Sequence, residues 1–147
     1  MSAWVLRAVG LGALVVALRV LLGFAMAVLP TYGMVWRAAC LIVIVAVAVL
    51  WGVRDARSGA DDLTVRWLAV GLVAGLGSSA VCWVLDQIPR IELGDAGALF
   101  ELTSAASFIM LLVFLPSMAG VAFGRARARR AEDSAVTAAE PVPAPAA

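Results

Sequence analysis

The chain has no histidine and no lysine, carries two cysteines, and only 14% of its 147 residues are charged. Each shortage removes a class of function. Without histidine there is no imidazole for acid–base catalysis or metal ligation, and without lysine there is no amine for a Schiff base. Two cysteines do not make a disulfide scaffold. Soluble domains carry roughly 25% charged residues, and ten acids with eleven arginines cannot cover a soluble surface here. What fills the chain is apolar, at 64% of residues by the broad count and a mean hydropathy of +1.03. That excludes disorder of the chain as a whole. The net charge of +1 gives no bias toward nucleic acid, so the position of each arginine matters more than the total.

A membrane-spanning helix needs about 20 predominantly apolar residues. Four such stretches occur, at about 8–29, 35–53, 67–85 and 102–124. They predict an all-α membrane protein, a four-transmembrane-helix bundle over residues 1–130. The first stretch is interrupted only by Arg19 and ends at Pro30-Thr31-Tyr32-Gly33, which reads as a tight turn. The second carries Arg37 in its first turn. Arg54 to Arg66 reads as a polar connection in which Asp62 caps the third helix, one turn before Arg66. Pro89, Gly94 and Gly97 break the next connection, with Asp95 as a candidate cap. After Arg130 the chain is alanine, proline and acid, which predicts a disordered cytoplasmic tail over 131–147.

Trp4, Trp36, Trp51, Trp67 and Trp83 all fall near stretch ends, as expected of residues that favour the membrane interface. Trp36 to Trp51, and likewise Trp67 to Trp83, span roughly 23 to 24 Å of helix at about 1.5 Å per residue. A rival reading makes Arg7, the run to Leu18 and Ala25-Met26-Ala27 a secretory signal with its cleavage site. Arg19 directly after the run, and the loss of a helix from the bundle, weigh against it. Arg7, Arg54, Arg57, Arg66, Arg125, Arg127, Arg129 and Arg130 fall on one side of the predicted layer, and Arg37 and Arg90 on the other. The positive-inside rule therefore puts both termini in the cytoplasm. The last four of these arginines read as an anchor on anionic lipid, or as a regulatory binding segment.

Arg19 is the charge that no boundary explains. It sits about 15 Å below the outer end of its helix at 1.5 Å per residue, where a charge costs about 3 kcal/mol on insertion scales. Gly12, Arg19 and Gly23 share one helical face, with Ala8 and Ala27 at its ends. Two roles stay open: an anion-attracting or substrate-contacting group in a cavity, or a packing element paired to helix ends or carboxylates. Depth makes Ser78, Ser79, Ser104, Ser107 and Glu101 its candidate partners in a substrate site. Gly71 and Gly75 form a small-xxx-small pattern that reads as helix packing, and Pro116 should kink the fourth span near Leu112 to Leu115. Cys40 and Cys82 read as apolar thiols with no further metal ligand nearby. No nucleophile–base pair and no cofactor motif is present, so neither an enzyme nor a bound cofactor is expected. All ten acids fall outside the four stretches, which argues against proton-driven export through a mid-membrane carboxylate.

Several segments are distinctive: Trp51-Gly52-Val53-Arg54-Asp55-Ala56-Arg57, Asp61-Asp62-Leu63 through Trp67-Leu68 to Gly71, Glu101-Leu102-Thr103, and Leu111-Leu112-Val113-Phe114-Leu115-Pro116 with Gly124-Arg125. With Arg19 and Gly23, they resemble a small bacterial family identified as four-helix members of the drug/metabolite transporter superfamily, over residues 4 to 125. The resemblance implies a multi-pass protein of the cytoplasmic membrane that transports a small molecule of unstated identity. The best-known four-helix relatives, the small multidrug exporters, use an embedded Glu on the first helix to bind cations and protons. Arg19 stands on that helix here, so cation export does not carry over. The arginine bias also argues against an antiparallel homodimer. The expectation is a four-helix carrier in the lipid bilayer, a homo-oligomer with Arg19 in its site. The alternative is a non-transporting membrane subunit or scaffold that binds partner helices through small-residue faces.

Overall fold

The computed structural model describes residues 3–58, 62–87 and 98–139. Its regular elements are α1 (Ala3–Val28), a 3₁₀ turn (Pro30–Tyr32), α2 (Gly33–Ala56), α3 (Leu63–Asp86), the single turn α4 (Ala98–Phe100), a π-helical turn (Glu101–Ala105) and α5 (Ala106–Ala139). Four helical segments are long and apolar enough to cross a membrane: Trp4–Val28, Pro30–Ala56, Leu63–Asp86 and Leu102–Ala135. By length and composition the chain is a multi-pass membrane protein. Lipid offers no hydrogen bonds, so a spanning segment must satisfy its backbone internally, as a helix does.

The helices overrun the apolar stretches at most ends, because flanking polar residues keep their backbone bonds inside the helix. The Pro30–Gly33 turn forms where expected. Leu29 N–H donates to the Ala25 carbonyl at 2.8 Å, and Pro30, which has no N–H to satisfy, opens the 3₁₀ turn. Asp62 precedes α3, but its carboxylate makes no capping bond; its carbonyl accepts the Arg66 N–H at 3.0 Å instead. Pro89, Gly94, Asp95 and Gly97 lie outside the described residues.

The chain beyond Arg130 differs from the expected tail. α5 stays helical to Ala139, although residues 131–135 are exposed throughout. Composition that cannot bury a core argues against an independent fold, yet a helix already nucleated extends through alanine-rich sequence without burial. Residues 140–147 lie outside the described part. α5 also runs through Pro116. The missing proline N–H deprives the Leu112 carbonyl of its donor, and one residue on, the Ser117 hydroxyl donates to the Val113 carbonyl at 2.7 Å.

Around the bundle the order is α1, α2, α5, α3, so α5 packs on α2 and α3, and α1 closes the ring between the same two helices. Leu11, Ile44, Trp67, Val70, Val113 and Val121 form the centre of the core. Close backbone approach decides which faces meet. A Cβ on Gly52 would run into the backbone of Ser117, and one on Gly120 into the carbonyl of Val49. One on Gly124 would lie 2.6 Å from the Ala56 Cβ. Gly75 and Gly71 play the same part against α5, where an added Cβ would fall 2.5 Å and 3.0 Å from the Ala106 and Met110 carbonyl oxygens. Gly12 faces Ala74 at an ordinary 3.7 Å, while Gly23 is half-buried in α1. Lipid tails are as apolar as leucine, so such approach, with its dispersion contacts, does what hydrophobic burial does in water.

Two tryptophans depart from the interfacial expectation. Trp4, Trp36 and Trp83 are partly exposed near helix ends, but Trp67 is 1% exposed and belongs to the core. Trp51 packs over Gly10, where an added Cβ would lie 3.2 Å from its ring.

Candidate functional site

Arg19 lines a cavity of about 460 Å³ between α1, α2 and the start of the fourth spanning segment. Val15, Leu18, Arg19 and Leu22 line it from α1, a spacing of three and four residues that keeps them on one face. α2 contributes Arg37, Cys40, Leu41 and Ile44 with the same spacing. The last wall holds Phe100 and the π-turn residues Ser104 and Ala105, followed by Phe108, Ile109 and Leu112 of α5. The wider π turn breaks the α-helical register just where Ser104 meets the cavity; such turns recur at functional sites. Thr103 supports the turn by donating its hydroxyl to the Leu99 carbonyl at 2.5 Å. Cys40 Sγ donates weakly to the Leu18 carbonyl at 3.8 Å across the α1–α2 side.

Of the expected partners of Arg19, the structure brings Ser104 into the same cavity and adds Arg37, which by sequence is only a boundary charge. Ser107 is exposed and is not among the lining residues. Glu101 belongs to the π turn, but its side chain lies outside the described residues. Ser78 and Ser79 do not face this cavity. Ser78 lines a separate groove of about 520 Å³ between α1 and α3, and its hydroxyl donates to the Gly75 carbonyl at 3.2 Å. Ser79 is fully buried, with no hydrogen-bond partner for Oγ among the described residues. The reason lies in α1. At about 100° per residue, the side chains lining the Arg19 cavity and those lining the α1–α3 groove are centred roughly a third of a turn apart. The small-residue face of Gly12, Arg19 and Gly23 lies on the boundary between them, so a shared depth with α3 does not bring Arg19 to Ser78 or Ser79.

A second polar cluster sits at the opposite end of the bundle. Arg7 of α1 pairs with Asp55 of α2 at 2.6 Å, and the Asp55 side chain is only 5% exposed. Sequence reasoning placed Asp55 in a polar connection, whereas α2 carries it in its last turn, inside the packed bundle. Trp67 of α3 stands near enough to act on this carboxylate as a hydrogen-bond donor. It falls short of full hydrogen-bond geometry, since Asp55 Oδ2 and Trp67 Nε1 are both buried without a partner among the described residues. The two orphaned atoms are an acceptor and a donor, so they are chemically complementary. A signal was present in the sequence: a lone acid beside Arg54 and Arg57, on the side where arginines gather, is the natural partner of a nearby arginine.

Neither cysteine forms a disulfide, and no cluster able to hold a metal occurs among the described residues. No protein-family model matches the chain, and no curated protein sequence matches it.

Proposed function

We propose that the chain is a carrier of small molecules across a bacterial cytoplasmic membrane, an oligomer with both termini in the cytoplasm and the Arg19 cavity as its binding site. One observation carries this reading: an arginine within a spanning helix lines a cavity large enough for a small ligand. Ligand sites occupy about 300–1,000 Å³. An ionisable side chain at membrane depth is costly unless it faces protein or water, and such residues mark substrate pathways. The likeness of the loop and helix motifs to four-helix drug/metabolite transporters points to the same class.

Arg19→Leu tests the site. Reconstituted into vesicles and screened against anionic and neutral metabolites, the native chain should move at least one of them. The variant should lose that flux at least tenfold, with unchanged expression and oligomeric state. Loss of assembly in place of flux would favour the scaffold reading. That alternative draws on the α1–α3 groove, whose lining includes Gly12, Ala13, Ala17 and Gly77. It has less material than the sequence suggested, because Gly71 and Gly75 already pack on α5. Topology has its own test. A cysteine replacing Ser58, which is exposed just beyond α2, should resist an impermeant maleimide added outside intact cells and react once the cells are opened.

A further inference from the structure

The cavity is chemically lopsided. Its two arginines come from α1 and α2, Arg19 and Arg37, while among the described residues the wall toward α5 is apolar apart from Ser104. Arg37 forms no ion pair among the described residues, so none of them offsets its positive charge at the cavity. Low-dielectric walls focus the field of such a charge and raise the local concentration of anions. A neutral apolar occupant would leave the charge uncompensated, and a cation would be repelled. A small hydrated inorganic anion would make no use of Phe108, Ile109 and Leu112. An acidic head on an apolar body satisfies both walls. A guanidinium recognises a carboxylate or phosphate through paired N–H donors, and the serine hydroxyl adds another donor.

Resting on the cavity being a binding site, we infer that it takes an amphipathic anion, a carboxylate or phosphate ester whose head meets Arg19 and Arg37 and whose apolar body lies along α5. Two sources supply this chemistry: a free organic anion, and an anionic lipid with an acyl chain against α5.

The test uses the full chain in nanodiscs of zwitterionic phosphatidylcholine with radiolabelled octanoate as probe. Saturable binding should be displaced by unlabelled octanoate and not by octanol or octylammonium at equal concentration. Arg37→Gln should weaken binding about tenfold or more, the loss of one charge-assisted hydrogen bond, and Arg37→Lys should weaken it less because the charge stays. A second readout is alkylation of Cys40, a cavity-lining thiol, in a Cys82→Ala background, which bound anion should slow. Protection by added phosphatidylglycerol alone assigns the head to a lipid, and protection only by octanoate assigns a free anion; either supports the inference. Equal competition by octanol or octylammonium overturns it, as does unchanged binding in Arg37→Gln. So does the absence of both octanoate binding and lipid protection. Failure of transport with anion binding intact would overturn the carrier reading and leave this one standing.

Discussion

Replacing Gly52 with alanine is expected to destabilise the bundle by about 3 kcal/mol, the upper part of the range for overpacking a close-packed contact. The added methyl would meet the backbone of Ser117, and the clash involves the carbonyl oxygen, its carbon and the Cα together. A flexible side chain could rotate away, but a helix backbone yields only by moving the helix. α2 and α5 would separate along the line where Gly52, Gly120 and Gly124 hold them close, and their dispersion contacts would be lost with the separation. Gly120→Ala should act in the same direction, since its methyl meets the Val49 carbonyl. Gly77→Ala is the control. Nothing lies within 4 Å of a Cβ there, so the substitution should be neutral or slightly stabilising through helix propensity, which favours alanine over glycine by up to about 1 kcal/mol. Denaturant titration of the purified variants in one detergent measures all three. A Gly52→Ala midpoint equal to that of Gly77→Ala would refute the close-approach account of the interface.

Arg7→Leu should cost about 3–5 kcal/mol, the range for breaking a buried ion pair so that one charge is left behind. The charge left behind would be Asp55, 5% exposed at its side chain, while Arg7 is 28% exposed. This difference makes the pair unequal. Asp55→Asn leaves a guanidinium that can reach the interface along its own aliphatic stem, so its cost should be nearer the 1–3 kcal/mol of an unsatisfied buried polar group. Replacing both residues with leucine should recover much of the loss, because neither partner is then stranded. A double-mutant cycle on unfolding free energy checks the pattern. Equal costs for the two single variants would mean that Asp55 is more hydrated than its burial implies.

These two predictions concern residues that sequence reasoning treated as ordinary. Gly52 appeared only within a resemblance motif, and Asp55 as part of a polar connection. In a soluble helix the apolar stripe marks the inward face, so packing partners can be sought on the wheel. In these four spans that stripe is missing, since lipid accepts leucine and valine as readily as a protein core does. The residues that settle the packing are then those that let backbones approach. Gly71-x-x-x-Gly75 is legible as such a device, but the pattern does not name the helix that packs on it. Gly120-x-x-x-Gly124 has the same form toward the C-terminal end of the last span.

The candidate site divides in the same way. Arg19 stood out because a charge among apolar residues is expensive wherever its helix faces. Its neighbours were inferred from depth alone, which narrows position along the membrane normal and says nothing of direction in the membrane plane. Depth therefore suggested Ser78, Ser79 and Ser104 alike, and only Ser104 shares the Arg19 cavity. Arg37 carries no such signal, because its place near the start of α2 is that of a boundary charge.

The amino-acid sequence by itself determined the four apolar helices, the Pro30–Gly33 turn and the sorting of arginines to the helix ends. Each follows from a local free energy, of burying backbone in lipid, of proline geometry or of charge in hydrocarbon, that needs no knowledge of a neighbour. Only the tertiary structure decided that α5 lies between α2 and α3, that Arg7 reaches Asp55, and that Arg19 and Arg37 line one cavity. Those outcomes depend on which backbones approach most closely, a property of two surfaces together that neither helix carries alone.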